Sequence, residues 1–93
     1  MTPINELYGR YHGLILRLAR QSRPDGAWKA KLRETLAAFD DDSRRLSVVD
    51  DRLLREELAS QIEQEALQFP DATKRAVLII ALKHIDAAKR YES

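Results

Sequence analysis

Apolar residues recur at spacings of three and four along most of this chain, and this periodicity constrains the fold more than any other feature. Such spacing places side chains on one face of an α-helix. The repeat occurs in three stretches: Ile4, Leu7, Tyr11, Leu14 and Leu18; Trp28, Leu32, Leu36 and Phe39; and Leu54, Leu58, Ile62 and Phe69. Residues 77–82 are apolar all round, and their Ala-, Lys- and Arg-rich surroundings favour a buried helix over a strand.

Prolines, glycines and capping residues divide this pattern into four predicted helices. The predicted helices cover residues 3–20, 26–40, 43–69 and 71–91. The start of the third is open, because either Ser43 or Ser47 can act as its N-cap. Asp71 or Thr73 would cap the fourth. The Asp triplet at 40–42 is expected to interrupt the second helix.

Ninety-three residues with 44% hydrophobic side chains suit a single domain, residues 1–93. The predicted fold is all-α, a small antiparallel bundle of three to four helices with short connections. Small domains bury a reduced share of their surface. A second copy of the chain is therefore one expected way to complete the bundle.

Composition excludes several classes of protein and favours a cytoplasmic one. The sequence has no Cys, which excludes disulfides and thiolate metal sites. Residues 1–5 lack the features of a secretory signal. The longest apolar run, residues 76–82, is far short of the roughly 20 residues that span a bilayer. We therefore expect a cytoplasmic chain with no membrane partner, and its Arg- and Ala-rich composition suggests a bacterial source.

Catalytic, cofactor and metal sites are not predicted. The two histidines, His12 and His84, lack the Glu three residues earlier that helical-bundle metal sites use, since Gly9 and Ala81 stand there. The carboxylates fall in runs at expected helix caps and charged faces. There is no Gly-rich phosphate loop and no serine nucleophile motif. We expect a protein that is not an enzyme and that has no cofactor.

Charge is segregated along the chain although the net charge is only +1. Residues 1–38 carry +4, residues 39–73 carry −6 and residues 74–93 carry +3. The simplest interpretation is that the acidic third helix packs beside basic ones. The alternative is nucleic-acid binding through the basic side chains of helices one and two, which are Arg10, Arg17, Arg20, Lys29, Lys31 and Arg33.

The third helix has two apolar sides, which is more apolar surface than a small bundle readily covers. The leading hypothesis is therefore a non-catalytic regulator, adaptor or inhibitor that docks on a protein partner, a homodimer included. The predicted interface residues are Leu46, Val49, Leu53 and Leu67, with Tyr8 and Tyr91 at the edges. Gly9 and Gly13, one turn apart, indicate close packing inside the monomer or a dimer contact.

Overall fold

The computed structural model describes residues 3–86, with side chains from Ile4 onward, and in this range the chain forms four α-helices. They are α1 (Pro3–Gln21), α2 (Trp28–Ser43), α3 (Val48–Ala66) and α4 (Ala72–Ile85). No strand occurs among the described residues, so the prediction of an all-α bundle is confirmed. Completion of the bundle by a second copy stays a prediction. None of the four helices is both long and apolar enough to cross a membrane.

Helix α1 runs antiparallel to α2 and to α4, and contacts between helix ends establish these directions. Arg10, in the first half of α1, lies 3.4 Å from the Asp42 carboxylate near the end of α2. The Lys74 ammonium at the start of α4 donates to the Arg20 carbonyl near the end of α1, at 3.1 Å. Residues 67–71 connect α3 to α4. Helix α4 contacts all three other helices, as its apolar character predicts.

Two predicted caps set the starts of α3 and α4. The Ser47 hydroxyl accepts a hydrogen bond from the Asp50 backbone N–H at 3.1 Å. The alternative cap, Ser43, is wrong because this residue is the last of α2. The Asp71 carboxylate accepts from the Lys74 backbone N–H at 3.0 Å, and this bond lowers the pKa of the Asp71 carboxyl. Both caps satisfy N–H groups that a helix start leaves unpaired.

The predicted bounds of three helices need correction. Helix α2 begins at Trp28 and continues through the Asp triplet to Ser43, because Asp40 and Asp42 bind side chains of neighbouring helices. Helix α3 ends at Ala66, three residues before the predicted end. Helix α4 ends at Ile85. The prediction of helix to residue 91 is wrong at Asp86, whose backbone has left the helical conformation, and its continuation over residues 87–91 lies outside the described residues.

The core lies where the four apolar stripes meet, and α1 differs from its predicted stripe. Leu14 is 41% exposed, whereas Ile15 and Ala19 are fully buried. The face of α1 that points to the core is therefore shifted by about one residue, or about 100° around the helix axis, from the predicted face. The predicted stripes of α2 and α3 are confirmed as buried from Trp28 to Phe39 and from Leu54 to Ile62.

Gly9 and Gly13 lie on the exposed side of α1, and a Cβ added at either would meet nothing within 4 Å. The first of the two interpretations, close packing inside the monomer, is therefore wrong. The alternative, contact with a second molecule, stays a prediction.

We expect Gly9→Ala and Gly13→Ala each to raise the unfolding free energy by about 0.5–1 kcal/mol, because alanine loses less backbone entropy in a helix. Gly26→Ala is the control. Gly26 has φ +80°, where a Cβ is strained, so this change should cost about 1 kcal/mol. Urea denaturation of the three variants measures all three effects, and destabilisation by Gly9→Ala or Gly13→Ala would contradict this account.

Candidate interaction surface

Three of the predicted interface side chains are exposed on α3 or directly after its last residue. Val49 exposes 74% of its surface, Leu67 82% and Leu53 42%. They lie about half a helical turn away from Leu58, which is fully buried in the core. The second apolar side of α3 is therefore left uncovered in the single chain.

The remaining predicted interface residues have different surroundings. Leu46 and Tyr8 are half-buried and pack against the core. The Tyr8 ring also stacks on His12, with 5.7 Å between ring centroids. Their place at the edge of an interface stays a prediction. Tyr91 lies outside the described residues.

Val48, Val49 and Leu53 together form a contiguous apolar surface at the start of α3, which we call the α3 patch. With Arg52 and Glu56 at its border, it lines a shallow hollow of about 300 Å³. Val48 is 65% exposed and was not among the predicted interface residues. Its exposure follows from its position as the first residue of α3, where no preceding helical turn covers the side chain.

Leu67 does not belong to the α3 patch. It follows Leu53 by fourteen residues, which is about 21 Å along a helix axis. The same outward stripe carries Glu56, Ser60 and Glu63 in between, and all three are exposed polar side chains. The predicted interface is therefore divided, with its apolar centre at the start of α3.

A buried arginine holds the part of α3 that carries the patch. Arg55 is 1% exposed, and its Nε donates to the Asp51 carboxylate at 3.0 Å. Its two terminal nitrogens donate to the Ile85 carbonyl and the Ser43 hydroxyl, each at 3.2 Å. The Asp40 carboxylate lies 3.5 Å from the same guanidinium. One side chain of α3 is thus bound to the ends of α2 and α4.

This network is fully satisfied, which is the condition under which a buried ion pair is tolerated. No buried side-chain nitrogen or oxygen in the described part of the chain lacks a hydrogen-bond partner. The Arg55 guanidinium also lies 5.0 Å from the centroid of the Phe39 ring. Because Asp51 and Arg55 alternate with Val49 and Leu53 along α3, the network fixes the backbone beneath the patch. The patch therefore stands on a rigid support.

A second polar contact joins α1 to the end of α2. The Tyr11 hydroxyl donates to the Asp42 carboxylate, which also lies 3.4 Å from Arg10. Burial of Tyr11 and its bond to the negatively charged Asp42 raise the pKa of the Tyr11 phenol to about 12.

We expect Tyr11 to ionise near pH 12 in the folded chain, because its pKa is about 12 and the ordinary tyrosine pKa is 10.0. The neutral phenol is the favoured form. The stability from this raised pKa is therefore complete below pH 10 and is lost as the pH rises through about 12. Tyrosinate absorbance measures the titration. The late step should vanish in Tyr11→Phe and persist in Tyr8→Phe, and persistence in Tyr11→Phe would refute the assignment.

Both histidines pair with single carboxylates. His12 Nε2 lies 2.6 Å from Glu65 on α3, and His84 Nε2 lies 2.9 Å from Asp40 on α2. Within residues 3–86, no group of three or more His, Asp or Glu side chains is arranged to hold a metal ion. These contacts join helices, and the His12–Glu65 pair agrees with the predicted packing of acidic α3 beside basic α1.

The six basic residues of the alternative hypothesis do not form one surface. Arg10, Arg17 and Arg20 lie on the exposed side of α1. Lys31 faces the α1 side of α2, where it lines a hollow with Leu18. The other two, Lys29 and Arg33, line a different hollow beside Ile80 of α4.

Comparison with known proteins gives no relative, since no protein-family model, no curated protein and no solved structure matches this chain.

Proposed function

We propose that this chain is a small protein-binding module that acts by docking the α3 patch onto a partner protein, without a catalytic step of its own. The observation that carries the proposal is the adjacent exposure of Val48 and Val49, at 65% and 74%, beside the partly exposed Leu53. Contiguous exposed apolar surface marks interaction sites. The role is that of a regulator, adaptor or inhibitor in the bacterial cytoplasm.

The border of the patch supports this role. Arg52 and Glu56 flank the apolar centre with one charge of each sign. An apolar centre inside a polar rim is typical of protein interfaces, and rim charges select the partner more than they add affinity. The buried Arg55 network keeps the first turns of α3 in place, so docking requires little ordering of the patch.

The α3 patch alone is too small for a stable interface with either a second copy or a different protein. Stable complexes bury about 800 Å² on each partner, and three aliphatic side chains cover much less. Two copies joined through the α3 patch alone would therefore associate weakly. We propose a partner that extends from the patch over the connection formed by residues 44–47, which precedes α3, and that does not reach Ser60. Sedimentation equilibrium distinguishes the cases, because a stable homodimer would make the second copy the partner.

Photo-crosslinking tests the proposal in living cells. A photoreactive amino acid replaces Val49, and the matched control places it at Ser60, which is exposed on the same side of α3. We expect a discrete crosslinked species from position 49 and none from position 60. The captured protein is then purified, and its affinity is measured for the wild type and for a Val49→Glu/Leu53→Glu variant. Equal affinity for both would reject the proposal.

Nucleic-acid binding is the second candidate, and the exposed row of Arg10, Arg17 and Arg20 on α1 favours it. Arg10 is 3.4 Å from Asp42, which partly offsets its charge. Titration with a mixed-sequence DNA duplex at several salt concentrations provides the test. Phosphate contacts give an affinity that falls steeply as salt rises. Absence of binding at low salt eliminates this candidate.

A further inference from the structure

A second apolar hollow lies between α2 and α4, away from the α3 patch. Pro24 and Gly26 lie at its end beside the start of α4, where Ala72 and Ala76 form the opposite side. Its central part encloses about 270 Å³. We call this hollow the α2–α4 groove, and its central part is lined by Trp28, Lys29, Leu32, Arg33, Leu36 and Ile80.

The α2–α4 groove has a length that fits a short helix. The α2 wall runs from Trp28 to Leu36, nine residues that span about 12 Å. The opposite wall runs from Ala72 to Ile80 over the same number of residues. Two helical turns of another chain cover that distance. Ile80 is 43% exposed, so the α4 wall offers uncovered apolar surface to such a helix.

The charged side chains that line the groove are all positive. Lys29 and Arg33 both line its α2 wall, one helical turn apart and both exposed. The Lys29 ammonium lies 5.9 Å from the centroid of the Trp28 ring, over the floor of the groove. No acidic side chain lines the groove among residues 3–86. Beyond the Leu36 end, Asp40 is already paired with His84 at 2.9 Å.

We propose that the α2–α4 groove binds an amphipathic helix of another protein whose flanks are acidic. Apolar side chains at positions i, i+4 and i+7 of that helix enter the groove between Trp28 and Ile80. Its carboxylates pair with Lys29 and Arg33, which selects acidic over basic helices. The groove and the α3 patch are separate surfaces, so the two together would allow the chain to bridge two partners as an adaptor.

Trp28 provides the readout, because it is the one tryptophan of the sequence and forms part of the groove floor. The probe is a synthetic amphipathic peptide helix with leucines at i, i+4 and i+7 and glutamates on both flanks. A matched peptide has lysines in place of the glutamates. We expect the acidic peptide to shift the Trp28 emission and to bind the full chain about tenfold more tightly than the basic peptide.

Substitutions in the chain identify the surface that binds the acidic peptide. Lys29→Glu/Arg33→Glu should weaken the acidic peptide about tenfold and favour the basic one, because each cation contributes one exposed ion pair. Lys31→Glu is the matched control, since Lys31 lies on the opposite side of α2, and it should leave both affinities unchanged. Helical circular dichroism verifies that each variant is folded. A folded Val49→Glu/Leu53→Glu variant should still bind the acidic peptide, which separates this proposal from docking at the α3 patch.

Four results with an added peptide or oligonucleotide would overturn the proposal. The first two are the absence of any Trp28 response at about 1 mM acidic peptide and equal affinity for the two peptides. The third is loss of peptide binding in Lys31→Glu. The fourth is a single-stranded DNA oligonucleotide that binds more tightly than the acidic peptide and whose binding is abolished by Lys29→Glu/Arg33→Glu. The last would identify the groove as a nucleic-acid contact. A Trp28 emission that changes on dilution of the chain alone would identify a second copy as the occupant, and it would also reject the peptide partner.

Discussion

Replacing Arg55 by Leu is expected to lower the unfolding free energy by about 3–5 kcal/mol. Arg55 is 1% exposed and Asp51 4% exposed. Loss of the guanidinium leaves the Asp51 carboxylate buried without its cation, and it leaves the Ile85 carbonyl without this donor. Most of the lost stability comes from the Asp51 carboxylate that is left buried without a cation, because a complete buried ion pair itself contributes little net stability.

Urea denaturation followed by Trp28 fluorescence and circular dichroism measures this loss. Arg55→Lys keeps the charge and loses the planar fork, so it should cost less and remain foldable. The double variant Asp51→Leu/Arg55→Leu should be more stable than Arg55→Leu, because no buried charge is left behind at this pair. Arg17→Leu, at an exposed site on α1, is the control and should change stability by less than about 0.5 kcal/mol. An Arg55→Leu variant as stable as this control would contradict the role of the network.

Phe39→Ala is expected to cost about 3–5 kcal/mol, through lost burial and the cavity that remains. Phe39 is fully buried on α2. Its ring meets the Tyr11 ring edge-on at 5.2 Å between centroids, and the Arg55 guanidinium lies on it at 5.0 Å. The substitution therefore removes packing from α1 and α3 at once.

The same denaturation experiment tests Phe39, with Phe39→Leu as the graded variant that leaves a smaller cavity. Leu67→Ala is the matched control, since Leu67 is 82% exposed and its truncation should fall within about 0.5 kcal/mol. Because Phe39 and Arg55 are in contact, their effects should not add in a Phe39→Ala/Arg55→Leu variant. Additive losses would show that the two side chains contribute independently.

The sequence predicts the four helices and limits the caps of α3 and α4 to two candidates each, because these features depend on local physics. Ser47 and Asp71 cap helices through side chains within three residues. The prediction that the Asp triplet interrupts α2 is wrong because it depends on contacts with residues that are distant in the sequence. Asp40 and Asp42 look like helix breakers locally, but each is bound by a cation from another helix, and such distant partners cannot be identified from spacing.

The buried Arg55 was missed although the sequence carries a signal for it. Asp51, Arg55, Leu58 and Ile62 follow spacings of four, three and four, which is the periodicity of a core stripe. Charged residues are rarely buried unless they are paired. The i,i+4 order of Asp51 and Arg55 supplies that pairing within the helix.

Exposure on α3 was predictable in part. The apolar side that carries Val49, Leu53 and Leu67 follows from periodicity, since it lies opposite the Leu54, Leu58 and Ile62 stripe. Which of these residues form one patch depends on the helix start and on the polar residues in between. Tertiary packing also decides that Leu46, from the same predicted set, is half-buried.

The affinity of the photo-crosslinked partner for two folded variants tests the docking account most directly. Calorimetry compares the wild type, Val49→Glu/Leu53→Glu and the control Ser60→Glu. We expect the double variant to bind about a hundredfold more weakly, because two charges enter the apolar centre of the contact. The control should bind as the wild type does. A folded Val49→Glu/Leu53→Glu chain that binds its partner with wild-type affinity would contradict the account.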